Sequence, residues 1–264
     1  MIRDRAASVD ALGASPVHDA ALIVDDLTGP VAAPVLRKIS FTVLSGATHV
    51  ILGGMHSGKS LLLRLLLGLQ RSQHGTVEID GMSFDVSAPN EDTLRRVRRR
   101  VGVVFDSSAL ISRLTLLENV ELPLVEHTSL SVDAAREAAD ALLREVGVRA
   151  DVDRTPDTVS RLDRRRTALA RALALDPMLL LVDEPGHGLD ADAAADLDDA
   201  LVALQHRRMC ALVICSQEVR YAFRAPGSLS VLAGGTLVEH GTLDALRASE
   251  HADVRRLVDR RGAA

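Results

Sequence analysis

The eight residues Gly53-Gly54-Met55-His56-Ser57-Gly58-Lys59-Ser60 constrain the fold more tightly than any other part of the chain. The apolar run Val50-Ile51-Leu52 precedes them and the leucine-rich stretch Leu61 to Leu69 follows. Strand, glycine-bearing loop and helix, in that order, is the context such spacing requires. Backbone N–H groups of a loop of this kind converge on phosphate oxygens, aided by the positive end of the following helix. Gly53, Gly54, Met55, His56, Ser57 and Gly58 are expected to form the cradle. Lys59 is expected to reach the β- and γ-phosphates of a nucleoside triphosphate, and the Ser60 hydroxyl to ligate Mg²⁺.

A second segment points the same way. Met178-Leu179-Leu180-Leu181-Val182-Asp183-Glu184 is an unbroken apolar run ending in two carboxylates. Unbroken apolarity marks a parallel strand covered on both faces, and open α/β sheets bind ligands at the carboxyl ends of their strands. Asp183 is therefore expected at the Mg²⁺ shell, and Glu184 where a water attacks the γ-phosphate.

The bulk of the chain is compatible with this. Its 264 residues are 47% hydrophobic but only 2% aromatic, so aliphatic side chains must fill the core. The net charge of −5 gives no general attraction to a polyanion. Arg64 interrupts the longest leucine stretch, so no apolar run reaches the ~20 residues that cross a bilayer. Arg3, Asp4, Arg5 and Asp10 surround no apolar segment, which does not read as a secretion signal. Residues 1–20, rich in Ala, Ser and Asp, are expected to be a flexible extension. On a strand, Cys210 and Cys215 would face opposite sides about 16 Å apart, beyond disulfide reach. They read as buried thiols of a reducing compartment.

Short strands are expected at Ala21–Asp25, Ile39–Val43, Thr76–Ile79, Val101–Phe105, Leu179–Val182, Leu212–Cys215, Ser228–Leu232 and Thr236–Val238. Helical patterns cover Asn90–Arg100, about Leu114–Asp157, and Thr242–Asp259. A helical insertion between strand-rich halves predicts one nucleotide-binding α/β domain over 21–260, with a helical lobe at about 107–162. Two arginine groups, Arg95, Arg96, Arg98, Arg99, Arg100 and Arg164, Arg165, Arg166, read as solvated helix faces. No aromatic residues interleave with them to stack bases, so no nucleic-acid partner is expected.

The order of phosphate loop, helical lobe, Asp183-Glu184-Pro185 and Gly188-Leu189-Asp190 resembles the ATP-binding subunit of ABC transporters over residues 21–260. Thr167 to Pro177 is similar to the helix following that family's signature segment. Asp106-Ser107-Ser108-Ala109-Leu110, with Glu118-Asn119-Val120-Glu121-Leu122-Pro123-Leu124-Val125-Glu126-His127-Thr128, resembles the Mla/Mce branch, whose ATPases power lipid movement across bacterial envelopes. The resemblance implies a P-loop NTPase core with a mixed sheet, an antiparallel β subdomain and a helical subdomain. It implies ATP and Mg²⁺ as ligands, and a dimer, of like or unlike subunits, sandwiching ATP between one phosphate loop and the other signature. It further implies a membrane permease and an MCE-domain lipid-binding protein as partners, at the cytoplasmic face of the bacterial inner membrane.

The chain departs from the family pattern at several positions. The signature, usually Leu-Ser-Gly-Gly, reads Val159-Ser160-Arg161-Leu162-Asp163: Ser160 is kept as a nucleotide-binding residue, but both glycines are gone. Arg161 either obstructs the approach to ATP or substitutes a guanidinium donor. The usual Mg²⁺-ligating glutamine aligns with Asp106, another oxygen ligand. The catalytic switch histidine aligns with Gln217, which keeps a hydrogen-bond donor without an imidazole. His56 stands where a glycine is common, and no aromatic residue is placed to stack on adenine. These departures leave two expectations open: an ATPase, and an ATP-binding subunit deficient in hydrolysis.

Overall fold

The computed structural model describes residues 20–30, 36–224 and 227–258. The chain begins with β1 (Ala20–Thr28), β2 (Ile39–Leu44) and β3 (Thr48–Gly53), and the phosphate loop leads into α1 (Lys59–Leu66). Next come β4 (His74–Ile79), β5 (Met82–Asp85), α2 (Glu91–Arg98) and β6 (Val101–Val104). The helical lobe holds α3 (Leu116–His127) and α4 (Val132–Glu145), followed by a 3₁₀ turn (Pro156–Thr158) and α5 (Arg161–Leu173). The second half contains β7 (Leu179–Asp183), α6 (Ala191–Arg208), β8 (Ala211–Ser216), α7 (Arg220–Arg224), β9 (Ser228–Ala233), β10 (Thr236–Gly241), α8 (Leu243–Arg247) and α9 (Ala252–Val258).

Two sheets result. One is antiparallel, ordered β2-β1-β4-β5; the other is mixed, ordered β10-β9-β3-β8-β7-β6, and parallel except for β10. The parallel strands alternate between two apolar layers, as a period of two dictates. Val50, Leu52, Leu180, Val182, Leu212 and Ile214 face the lobe, α5 and α6. Ile51, Leu179, Leu181, Ala211, Val213 and Cys215 face α1 and the antiparallel sheet. Cys210 and Cys215 fall in these opposite layers, both buried and free.

The lobe owes its entry to local chemistry. Thr115 and Glu118 form a reciprocal capping box at the start of α3. Asn119, fully buried, accepts from the Ile111 N–H (2.8 Å) and donates to the carbonyls of Ile111, Leu114 and Thr115. One side chain thus closes the loop before the helix.

Several expectations are corrected. The helical region at about 114–157 resolves into two helices and a 3₁₀ turn, with loops between. The closing helix splits into α8 and α9, with a turn at 249–251 in which Ser249 Oγ accepts from His251 N–H and His251 Nδ1 caps α9 by accepting from Asp253 N–H; Asp259 lies outside the described residues. The helix expected over Asn90–Arg100 starts after Asn90, whose side chain caps it by accepting from the Asp92 and Thr93 N–H groups. The helix matched to Thr167–Pro177 ends at Leu173. Residues 1–19 of the expected extension lie outside the described residues, and Ala20 already belongs to β1. Short β5 and the 18-residue α6 were not expected from the pattern.

Candidate functional site

The phosphate loop leaves β3 between β8 and β9, at the carboxyl edge of the parallel strands. A Cβ on Gly53 would lie 2.7 Å from the Leu232 carbonyl oxygen, so only glycine fits between these strands. Gly58 has φ 106° and His56 φ 61°, so the loop turns through the left-handed region twice. His56 takes that conformation without glycine's freedom, at a cost of order 1 kcal/mol.

Lys59 is buried. Its Nζ donates to the carbonyls of Gly53 (2.9 Å) and Gly54 (3.0 Å) and lies 3.2 Å from Glu184 Oε1. The lysine therefore folds back over its own loop and pairs with the acid that follows β7, the strand beyond β8.

Asp183 closes β7, almost wholly buried, with Oδ1 lacking a hydrogen-bond partner. Burial pushes its carboxyl above the usual range, against a hydrogen bond from Ser60; the charges of Glu184 and Asp106 push it further up. Oxygen donors of this kind suit a hard cation such as Mg²⁺. Among the described residues no group of three or more His, Cys, Asp or Glu can hold a metal by itself. A Mg²⁺ ion here would complete its shell with phosphate oxygens and water, which is its habit.

Glu184 sits at φ 43° and its N–H donates to the Cys215 carbonyl (2.8 Å). Its Oε2 accepts from Ser216 Oγ and from the Gln217 N–H, both at 3.1 Å. Gln217 thus meets Glu184 through its backbone, where a side-chain role was expected. Ser216 was missed. Its signal is the parallel register that sets Asp183 beside Cys215, which places the next residue of β8 against Glu184.

Asp106 is exposed at the end of β6 and felt electrostatically by Asp183. Ser160 is not brought to this cluster by any bond of its hydroxyl. Its Oγ caps α5, accepting from the Asp163 N–H (3.0 Å) and donating to Asp163 Oδ2 (2.7 Å). Arg161 does not stand free: its guanidinium donates to the Gly188 carbonyl of the same chain.

The solvated-face reading of the second arginine group is corrected for two of its members. Arg165 and Arg166 are buried because α5 runs between the lobe and the core, where loop carbonyls need donors. Arg166 donates to Gly147 O (2.8 Å) and pairs with Asp196 (3.6 Å). Arg98, from the first group, is likewise half-buried, donating to the carbonyls of Leu67 and Gly68.

The sequence profile described as ABC transporter matches residues 36–187. The chain is similar to the probable ribonucleotide transport ATP-binding protein mkl of Mycobacterium tuberculosis, with 31% identity over 225 residues. That alignment covers 85% of this chain but 62% of mkl, so the chain spans less than two thirds of that relative. It is 34% identical over 211 residues to the lipoprotein-releasing system ATP-binding protein LolD of Anaeromyxobacter dehalogenans, covering 80% of this chain and 87% of LolD. Among solved structures, the dimeric bacterial ABC transporter cassette MJ0796 superposes with a TM-score of 0.77 at 26% identity, over 84% of this chain and 98% of that one.

Proposed function

This chain belongs to the ABC transporter family of ATP-binding domains, and from that premise we propose that it binds and hydrolyses ATP to power lipid movement across a bacterial envelope, as the ATPase subunit of an Mla/Mce-type transporter. The observation that carries the nucleotide reading is the convergence of buried Lys59 and Asp183 with the partly exposed Glu184 at one edge of the parallel sheet. The loop Gly53, Gly54, Met55, His56, Ser57, Gly58 cradles the phosphates by its backbone, and Lys59 exchanges Glu184 for the β- and γ-phosphates. Glu184 Oε1, released from the lysine, then accepts a hydrogen bond from the water aimed at the γ-phosphate. Ser216 and the Gln217 backbone keep its other oxygen in place. Ser60, Asp183 and Asp106 would hold Mg²⁺, which when bound supplies positive charge to the phosphate oxygens. The work left to the protein is positioning and electrostatics.

Lipid transport and the partners rest on other features. The Pro123-to-Thr128 run and the similarity to a lipoprotein-releasing protein support a lipid cargo. A groove of about 670 Å³ between core and lobe, lined by Arg95, Arg99, Phe105, Pro123, His127 and Leu175, supports a permease seated there; Pro123 and His127 come from that same run. An MCE-domain protein completes the complex in this reading. Among the described residues no helix is long and apolar enough to cross a membrane; in this reading the chain is held at the inner face by the permease. ATP would be shared between two such domains, Ser160 facing the partner's nucleotide.

One feature favours a second reading, ATP binding without turnover: Ser160 and Arg161 are both committed within their own subunit. Nucleotide affinity and phosphate release, measured on one sample of the chain with its permease, separate the two. Turnover that Glu184→Gln abolishes supports the ATPase; tight binding with equal, negligible release from both proteins supports the alternative.

A further inference from the structure

The guanidinium of Arg165 is almost wholly buried, yet both its bonds go to backbone: Nη1 donates to Phe105 O (2.8 Å) and Nη2 to His187 O (3.2 Å), while Nε has no partner. Burying a guanidinium is unfavourable; desolvation lowers its proton affinity, and the nearby carboxylates of Asp106 and Asp183 offset this in part. One turn earlier on α5, Arg161 donates to the carbonyl of Gly188. A Cβ on Gly188, at φ 73°, would collide with that guanidinium, so glycine there is what lets the arginine approach.

The carbonyls so gripped belong to two particular loops. Phe105 directly precedes Asp106. His187 and Gly188 lie in the loop that begins at Glu184, where the His187 N–H donates to the Glu184 carbonyl (3.0 Å). Beyond Asp106, Ser108 (φ 62°) and Ala109 (φ 45°) occupy the left-handed region without being glycine. Such backbone persists only where its surroundings hold it. Arg171, further along the same helix, donates to Ser108 O (3.0 Å) and Ala109 O (2.8 Å). The loop 105–109 is therefore held at both ends by arginines of α5.

We propose that Arg161 and Arg165 form a clip, reaching from the first turns of α5 to the backbones of Phe105, His187 and Gly188, that positions Asp106 and the Glu184 loop in this chain's own nucleotide site. They are positioning residues; neither needs to touch ATP. Arg161 then is neither an obstruction nor a substitute donor toward a partner's nucleotide, since its guanidinium is turned back on its own subunit. The proposal rests on the nucleotide reading for its consequence, and on geometry alone for the clip.

The test uses the full chain and four variants. Amide hydrogen exchange of the ligand-free protein reports the clip directly, and binding of a fluorescent ATP analogue with Mg²⁺ or with EDTA reports its consequence. Arg165→Met should speed exchange in both 105–109 and 187–190 by about tenfold. It should cut Mg²⁺-dependent affinity by about tenfold, in line with losses from altered support of metal ligands, and leave affinity in EDTA within about twofold. Arg165→Lys, which offers no planar fork for two carbonyls, should restore only part of this and serves if the Met variant fails to fold. Arg161→Gly should speed exchange at 187–190 alone. Arg166→Met, equally buried but bonded to Gly147 on the lobe side, should lower thermal stability without these effects. The clip is overturned if the Arg165 variants match Arg166→Met in exchange. Should wild type bind no nucleotide, the nucleotide reading falls, and exchange in the ligand-free chain still judges the clip.

Discussion

Lys59 Nζ lies 3.2 Å from Glu184 Oε1, both side chains largely removed from solvent. The cation of the phosphate loop and the acid assigned to the attacking water thus neutralise each other before any nucleotide arrives. In the proposed mechanism triphosphate entry separates them, freeing the lysine for phosphate and the carboxylate for water in one exchange.

Glu184→Gln removes the charge that holds Lys59 but leaves the lysine its two carbonyls. We expect nucleotide affinity to be retained or raised, because the lysine no longer has a carboxylate to give up. Phosphate release by the chain with its permease should fall by about 10²- to 10³-fold. Equal loss of binding and release would count against the assigned roles.

Gly53 and Gly54 are adjacent but not equivalent. Gly53→Ala forces a Cβ against the Leu232 carbonyl at 2.7 Å and Ser57 Oγ at 2.5 Å, whereas a Cβ on Gly54 meets nothing within 4 Å. The first should lose about 1–3 kcal/mol of stability, as overpacked sites do. Gly54→Ala should leave the denaturation midpoint in place. Urea unfolding of the two variants checks the contrast.

Asn119→Ala strips the lobe's entry loop of one acceptor and the donor to three carbonyls. A loss of about 3 kcal/mol is expected, since buried groups are left unmet. The same denaturation measurement reads it, and a loss under about 1 kcal/mol would mean that water reaches these groups.

Burial, with a smaller push from His240, lowers the pKa of His49 to about 4 from 6.5. Its ring stacks on Phe41 at 5.1 Å and its Nδ1 lies 2.6 Å from Ser228 Oγ. The folded state holds the neutral ring, while the unfolded chain takes up a proton below 6.5. Stability from this group is thus complete above pH 6.5 and lost as pH falls toward 4, by on the order of 3 kcal/mol. Plotted against pH across that window, unfolding free energy should slope less steeply in His49→Gln than in wild type. Parallel curves would refute the assignment.

Much of the site could be read locally. The loop at 53–60 and the acids at 183–184 announce themselves because each joins an apolar strand to polar residues at fixed spacing. The faces of β3, β7 and β8 follow from their alternation. What stayed hidden depends on other parts of the chain. Ser216 reaches Glu184 only through the β7–β8 register, which the residue's own segment does not reveal. Arg165 and Arg166 look like a solvated run because their partners, Phe105, His187 and Gly147, are far away along the chain. Gln217 aligns with a catalytic side chain, yet its backbone makes the contact. The break between α8 and α9 carries a Ser249 turn and a His251 cap that helical periodicity does not register.

The central claim is that Lys59, in its glycine-lined loop, grips the triphosphate of ATP. Equilibrium binding of a fluorescent ATP analogue to the folded chain in Mg²⁺, compared between wild type and Lys59→Ala, tests it most directly. The account predicts saturable binding by wild type and a loss of at least about tenfold in the variant, roughly what one charge-assisted hydrogen bond contributes. No binding by wild type, or equal affinity in Lys59→Ala with the fold intact, would contradict it.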